Sequence, residues 1–189
     1  MRTGRLEAFS DGVLAIVITI MVLELKPPAE TQLWNLREVF PTFLSYLLSF
    51  IYLGIYWNNH HHLFQVTQKV NGIILWANLH LLFWLSLIPF ATRWAGQNFR
   101  QADPIALYGF ILLMAAIAYR ILEVQLIKYH DDQFPLKNIA DHGKKEYISI
   151  FIYIISIPLA FYDNRIAISC FILVAIMWLI PDRRLEGIY

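Results

Sequence analysis

Six runs of apolar residues separated by short polar segments dominate the pattern of this chain. A helix needs about 20 mainly apolar residues to cross a hydrocarbon layer of roughly 30 Å, and several of the runs reach that length. Unpaired backbone groups are not tolerated in hydrocarbon, so segments of this kind cross it as helices. We therefore predict an all-α polytopic membrane protein with six transmembrane helices. The predicted spans are residues 8–25, 39–65, 72–94, 104–127, 147–162 and 166–180.

The connections between these runs are short and carry no sign of further structure. Only residues 163–165 separate the last two runs, which predicts an antiparallel helical hairpin. The longest polar connection covers residues 129–146. We find no internal repeat and no second domain, so residues 1–189 are expected to form a single six-helix membrane domain.

The N-terminus imitates a secretory signal peptide, because Arg2 and Arg5 precede an apolar run. However, Asp11 interrupts the start of that run, and Glu24 and Lys26 stand where a small-residue cleavage site is expected. We interpret the segment as a retained transmembrane helix.

The composition agrees with a membrane protein, since 58% of the residues are hydrophobic and only 15% are charged. The formal net charge is +1, and no run rich in Lys and Arg is present, which argues against nucleic acid as a partner. Membrane lipid is the expected surrounding. The single cysteine, Cys170, lies in an apolar run and is interpreted as a packing residue.

The Lys and Arg residues indicate the orientation, because they concentrate on the cytoplasmic side of membrane proteins. With six spans both termini share one side, and that side holds nine of the 15 residues: Arg2, Arg5, Lys69, Lys128, Lys137, Lys144, Lys145, Arg183 and Arg184. Lys26, Arg37, Arg93, Arg100 and Arg165 lie on the other side, and Arg120 lies inside the fourth run. We expect cytoplasmic termini in a bacterial inner membrane.

Asp11 lies near the start of the first apolar run, where a carboxylate needs hydrogen-bonding partners because its insertion into hydrocarbon is costly. One interpretation is a helix cap, in which Ser10 and Asp11 accept from free N–H groups at the helix start. The other is a buried polar network that fixes this helix to its neighbours, with Arg5 approaching Asp11 across a non-helical start. The candidate network comprises Arg5, Phe9, Ser10, Asp11, Trp57, His60, His61 and Asn78.

Beyond Asp11, the first helix carries a stripe of residues at the spacing that places side chains on one helix face. The stripe consists of Ile16, Thr19, Ile20 and Leu23. Periodicity alone favours an ordinary surface for lipid or helix packing.

Three sets of residues together resemble the endolysosomal potassium channel family, specifically its shorter prokaryotic members. The sets are Arg5-x-x-x-Phe9-Ser10-Asp11, then Trp57-x-x-His60-His61-x-x-Phe64, then Asn78 with Ser86 and Pro89-Phe90. The resemblance covers the first three helices. It implies a homotetramer of six-helix subunits that conducts potassium through a central pore lined by the first helix, without other cofactors. The chain has no Thr-Val-Gly-Tyr-Gly loop, so the usual carbonyl-lined filter is absent.

The resemblance also implies roles for the stripe. It places a hydrophobic constriction at Ile16, further pore layers at Ile20 and Leu23, and a polar layer that contributes to cation preference at Thr19. Glu24, at the end of the same helix, either concentrates cations at the mouth or is an ordinary interfacial charge.

Three other functions remain as alternatives. A metal-dependent enzyme could use His60, His61 and His62, but consecutive residues on a helix point in different directions, so we expect no enzyme. A proton-coupled or ion-coupled secondary transporter could use Asp11, His61 and His80 as proton carriers, although related halves and broken helices are not evident. The third alternative is a non-conducting scaffold protein.

Overall fold

The computed structural model describes residues 3–29, 31–130, 134 and 144–179. All regular elements in these ranges are helical. They are α1 (Gly4–Leu23), a short 3-10 helix (Leu33–Asn35), α2 (Leu36–Gln65), α3 (Gly72–Ser86), α4 (Ile88–Gln97), α5 (Ala102–Tyr129), α6 (Lys144–Tyr162) and α7 (Asn164–Leu179). We call the end of the bundle that holds the start of α1 the inner end and the opposite end the outer end.

The predicted all-α fold with six spans is confirmed, and α3 and α4 together form the third span. Within the described residues, five segments are long and apolar enough to cross a membrane, and α7 is a shorter apolar helix of 16 residues. The hairpin predicted around residues 163–165 is formed by α6 and α7. Residue 180 and residues 131–133 and 135–143 of the predicted loop lie outside the described ranges, as do Arg2, Lys137, Arg183 and Arg184.

Five of the six spans begin earlier than the apolar pattern predicts, the first and second among them. The first begins at Gly4 rather than residue 8, so its first turn carries the charged residues Arg5 and Glu7. The second begins at Leu36 rather than residue 39 and continues through Pro41. The pattern missed these turns because charged and polar residues precede each apolar run, and helices extend beyond the hydrocarbon layer.

The third span is broken at Leu87, which separates α3 from α4. Pro89 lies in the first turn of α4, where its missing N–H would have no intrahelical partner. Ser86 donates its hydroxyl to the carbonyl oxygen of Phe83 at 2.7 Å, which satisfies a group near the break. The break divides the span into α3, of 15 residues, and α4, of 10 residues.

The helices pack around α5, which contacts α3, α4, α6 and α7. The first helix packs against α2, α3 and α4. Its buried side consists of Leu6, Ser10, Leu14, Val17 and Met21.

Gly96 allows α4 to approach α2 closely. A Cβ atom at this position would lie 2.8 Å from the Cα atom of Thr42, a distance that real Cβ contacts do not reach. The α2–α4 contact therefore depends on a residue without a side chain.

Candidate functional site

The first helix has two distinct faces, and the predicted stripe lies on the exposed one. Ile16 is 61% exposed and Leu23 is 76% exposed, and both Thr19 and Ile20 are exposed beside them. Leu14, Val17 and Met21 on the opposite face are buried against the other helices. The subunit thus presents an apolar helix face interrupted by one hydroxyl.

Thr19 donates its hydroxyl proton to the carbonyl oxygen of Ala15 at 2.8 Å. This bond uses the only proton of the side chain, so the hydroxyl oxygen retains lone pairs for another partner. Chemically, the polar position of the stripe is an oxygen ligand rather than a proton donor.

On the buried face, a chain of hydrogen bonds joins α1, α2 and α3. The Asn78 Nδ2 group donates to Ser10 Oγ at 2.9 Å, and His60 Nε2 lies 2.8 Å from Asn78 Oδ1. Ser10 and Asn78 are fully buried and His60 is 1% exposed. Three of the predicted residues therefore meet in the interior.

The proton positions in this chain of hydrogen bonds follow from the acceptor at its end, the Leu6 carbonyl oxygen. Ser10 Oγ lies 2.9 Å from the Leu6 carbonyl oxygen, which can only accept, so the hydroxyl must donate to it. The Ser10 oxygen then accepts from the Asn78 amide, and Asn78 Oδ1 accepts from His60 Nε2–H. A neutral His60 consequently carries its proton on Nε2.

Asp11 lies beside this chain and contacts α2. Its Oδ1 atom accepts a hydrogen bond of 3.1 Å from Trp57 Nε1. The His61 ring stacks on the Trp57 ring at a centroid distance of 5.8 Å. His61 Nδ1 lies 3.4 Å from Glu7 Oε1, so His61 contacts a different carboxylate from Asp11.

The capping interpretation does not fit, because α1 begins at Gly4 and Asp11 lies two turns inside it. The same early start separates Arg5 from Asp11 on a continuous helix. Arg5 is exposed, and no ion pair between it and Asp11 is found within the described ranges. Phe9 is 52% exposed and lies on the side of the stripe.

At the outer end, Glu24 forms an ion pair with Arg93 of α4, at 2.6 Å between Glu24 Oε2 and Arg93 Nη1. Below this pair, a groove of about 410 Å³ between α1 and the third span is lined by Ile16, Ile20 and Phe90, among others. The exposed stripe thus forms one wall of a groove.

Sequence reasoning missed Glu7, Arg93 and a hydroxyl cluster formed by Ser49, Thr92 and Tyr108. Thr92 Oγ1 lies 2.7 Å from Ser49 Oγ, which is 2.8 Å from the Tyr108 hydroxyl. Isolated hydroxyl residues in apolar runs were the available signal, since buried polar groups in a membrane require partners.

The histidines do not form a metal site in the part of the chain that the structure describes, where no group of three or more His, Cys, Asp or Glu side chains could hold an ion. His80 accepts a hydrogen bond of 2.9 Å from Trp84 Nε1 on its own helix. Arg120 pairs with Glu123 and lies over the Tyr147 ring.

Comparison with known proteins shows that this chain is similar to ion channels. The family described as endosomal/lysosomal potassium channel TMEM175 matches residues 5–89, which contain α1, α2, α3 and the break. A Chryseobacterium protein named a potassium channel is 57% identical over 186 residues, covering 98% of this chain and 97% of the relative. A Streptomyces collinus protein also named a potassium channel is 34% identical over 128 residues, covering 64% of this chain and 62% of the relative.

The fold is similar to a solved structure. The crystal structure of a lysosomal potassium-selective channel TMEM175 homolog from Chamaesiphon minutus has a TM-score of 0.81 and 26% sequence identity. The match covers 94% of this chain and 96% of that chain.

Proposed function

The chain belongs to the TMEM175 family of endosomal/lysosomal potassium channels, and on that premise we propose that identical copies conduct potassium through a pore lined by α1. The protein is a multi-pass membrane channel, not an enzyme. The permeant species are potassium and other monovalent cations. The number of copies in the proposal is four, as the resemblance in the first three helices implies.

The observation that carries the proposal is the exposed apolar stripe on α1. Ile16, Ile20 and Leu23 face away from the subunit core, on the side opposite Leu14, Val17 and Met21. Such a face in a membrane protein covers lipid, a neighbouring copy or a pore. Family membership favours a pore, because relatives of this chain are named potassium channels.

Selectivity in this proposal comes from a dry constriction rather than from a carbonyl cage. A ring of Ile16 side chains excludes water, so an ion must shed part of its hydration to pass. Potassium is more weakly hydrated than sodium and loses less free energy in that step. The preference is therefore modest, and Thr19 oxygens one turn further along replace some of the lost water ligands.

The polar network acts on the pore indirectly. Ser10, Asn78 and His60 tie the buried side of α1 to α2 and α3, and Trp57 binds Asp11 one residue further. These bonds resist rotation of α1 about its own axis. Such a rotation would move the Ile16 ring away from the pore axis.

We place both termini in the cytoplasm and the channel in a bacterial inner membrane. Support comes from the excess of Lys and Arg in the connections on the side of the termini.

The experiment that tests the pore is a cysteine scan of α1 in planar bilayers. Cys170 is first replaced by serine, which leaves a chain without cysteine. Cysteine at position 19 or 20 should then make unitary currents sensitive to a charged thiol reagent, whereas cysteine at Val22, exposed but off the stripe, should not. Reactivity at Val22 alone would place a different face of α1 in the pore.

The same recordings separate a channel from the alternatives. A channel gives resolvable unitary current steps, whereas a secondary transporter moves too few ions per second to do so. A scaffold protein gives no current in liposomes that contain well-assembled protein.

A further inference from the structure

A second groove, of about 460 Å³, lies between α2, α4, α5 and α7 toward the outer end of the bundle. Its floor includes the buried residues Ile105 and Phe171, and its rim includes the exposed residues Leu47 and Ile172. Cavities that hold small ligands measure roughly 300–1,000 Å³, so the groove is large enough for one. No residue of α1 lines it.

The polar side chains that line this groove are already bonded. Ser45 donates its hydroxyl to the Pro41 carbonyl oxygen at 3.1 Å, and the Tyr108 hydroxyl lies 2.8 Å from Ser49 Oγ. The Ser45 hydroxyl proton is therefore not free for a ligand, and the rest of the lining is mainly hydrocarbon. An occupant must place an alkyl chain here.

Two arginines adjoin residues at the outer end of the groove. Phe99 lines the groove, and the Arg100 guanidinium carbon lies 5.5 Å from the centre of its ring. Asn164, at the start of α7, donates its amide to the Phe99 carbonyl oxygen at 3.3 Å. The backbone of its neighbour Arg165 therefore lies near Phe99. Both arginines are exposed, and neither forms an ion pair with any described residue.

The nearby carboxylates lie at the N-termini of helices α7 and α5. Asp163 Oδ1 accepts from the Arg165 backbone N–H at 2.8 Å, and Asp103 lies in the first turn of α5. An aspartate in such a position interacts favourably with the positive end of the helix dipole. These short side chains stay near the backbone, whereas the long arginine side chains can reach the headgroup layer of a surrounding membrane.

We propose that this groove binds one anionic phospholipid, with its phosphate between Arg100 and Arg165 and one acyl chain along the groove. An acyl chain gains little by leaving the surrounding hydrocarbon, so the headgroup decides which lipid stays. Guanidinium groups bind phosphate through paired hydrogen bonds. The lipid site is separate from the exposed stripe on α1, and it does not depend on how ions pass through the proposed pore.

The test uses the full chain, purified in detergent with either phosphatidylglycerol or phosphatidylcholine of identical acyl chains. Native mass spectrometry measures the lipid retained, and thermal unfolding measures the stabilisation. Wild-type protein should retain more phosphatidylglycerol than phosphatidylcholine. The double variant Arg100→Gln/Arg165→Gln should lose that preference, by roughly fivefold for each charge removed. Lys26→Gln, which removes an exposed charge at the same end away from the groove, should retain it.

A second pair of variants tests the groove itself. Ile172→Trp fills it and should reduce retention of both lipids, while Leu173→Trp, at the exposed neighbouring position that does not line the groove, should not. Equal retention of the two lipids by wild type, or unchanged preference in the double arginine variant, would overturn the proposal. A loss of assembly in Ile172→Trp but not Leu173→Trp, with the arginine variant unchanged, would show that a second copy covers the groove. Displacement of lipid by millimolar inorganic phosphate alone would show that only the phosphate is recognised.

Discussion

Glu24 and Arg93 join the outer end of α1 to α4 through an ion pair in which Arg93 Nη1 donates to Glu24 Oε2 at 2.6 Å. The pair ties the stripe-bearing helix to the second half of the broken third span. It also changes the expectation for Glu24, because a carboxylate already paired with a guanidinium attracts few further cations.

We therefore predict that Arg93→Gln increases single-channel potassium conductance at about 10 mM salt, where charges act over roughly 30 Å. Removing Arg93 frees the Glu24 carboxylate at the proposed mouth. Glu24→Gln should decrease the conductance, because it leaves the Arg93 guanidinium without its carboxylate partner at the same mouth. Unchanged conductance in both variants would mean that this ion pair lies away from the ion path. Because both side chains are partly exposed, their coupling in unfolding should be roughly 0.2–1 kcal/mol.

Replacing Ile16 with Asn should wet the constriction. The amide admits water to the proposed apolar ring, so potassium conductance should increase and the preference over sodium should weaken. Reversal potentials in mixed potassium and sodium solutions measure the preference. The matched control is Val22→Asn, an exposed position of α1 away from the stripe. Unchanged currents in Ile16→Asn would remove this residue from the pore.

Replacing Asp11 with Ala should impair assembly more than selectivity, because the carboxylate binds Trp57 on the neighbouring helix. Trp57→Phe should lower the unfolding temperature for the same reason, with a loss of about 1 kcal/mol for the missing hydrogen bond. Trp76→Phe, at an exposed position of α3, is the control and should have a small effect. A well-assembled Asp11→Ala channel with altered ion preference would contradict this structural role.

Asn78→Leu should be more damaging than the Trp57 change. It leaves the buried His60 Nε2–H without an acceptor and removes the donor to Ser10, and an unsatisfied buried group costs about 1–3 kcal/mol. The comparison is His80→Gln on the same helix, where only a bond to partly buried Trp84 is lost. Equal unfolding temperatures for the two variants would show that the buried chain of hydrogen bonds contributes little to stability.

Gly96→Ala should weaken the contact between α2 and α4. The new Cβ would meet the backbone of Thr42 at 2.8 Å, so the helices must separate, at a cost of about 1–3 kcal/mol for overpacking. Gly54→Ala is the control, because no described atom outside the backbone of its own helix lies within 4 Å of its added Cβ. Thermal unfolding of both variants in the same detergent measures the difference, and a stable Gly96→Ala would show that the contact can relax.

The sequence indicated which polar residues belong to the candidate site. It did not indicate which of them form hydrogen bonds with one another. Ser10, Asp11, Trp57, His60 and Asn78 stand out because polar residues in apolar runs need partners. Which donor meets which acceptor depends on helix rotation and on the separation of α1 from α2 and α3. Sequence reasoning therefore named His61 as a candidate partner of Asp11, whereas His61 lies against Glu7.

Length and hydrophobicity along the chain determined the number and order of the spans, because the hydrocarbon layer requires about 20 apolar residues and internally bonded helices wherever a chain crosses it. The tertiary structure decided the break at Leu87, the approach of α4 to α2 at Gly96, the pairing of Glu24 with Arg93, and the exposure of the stripe. Each of these depends on how helices distant in sequence pack together. The hydropathy pattern does not specify which of these helices contact one another or at which residues.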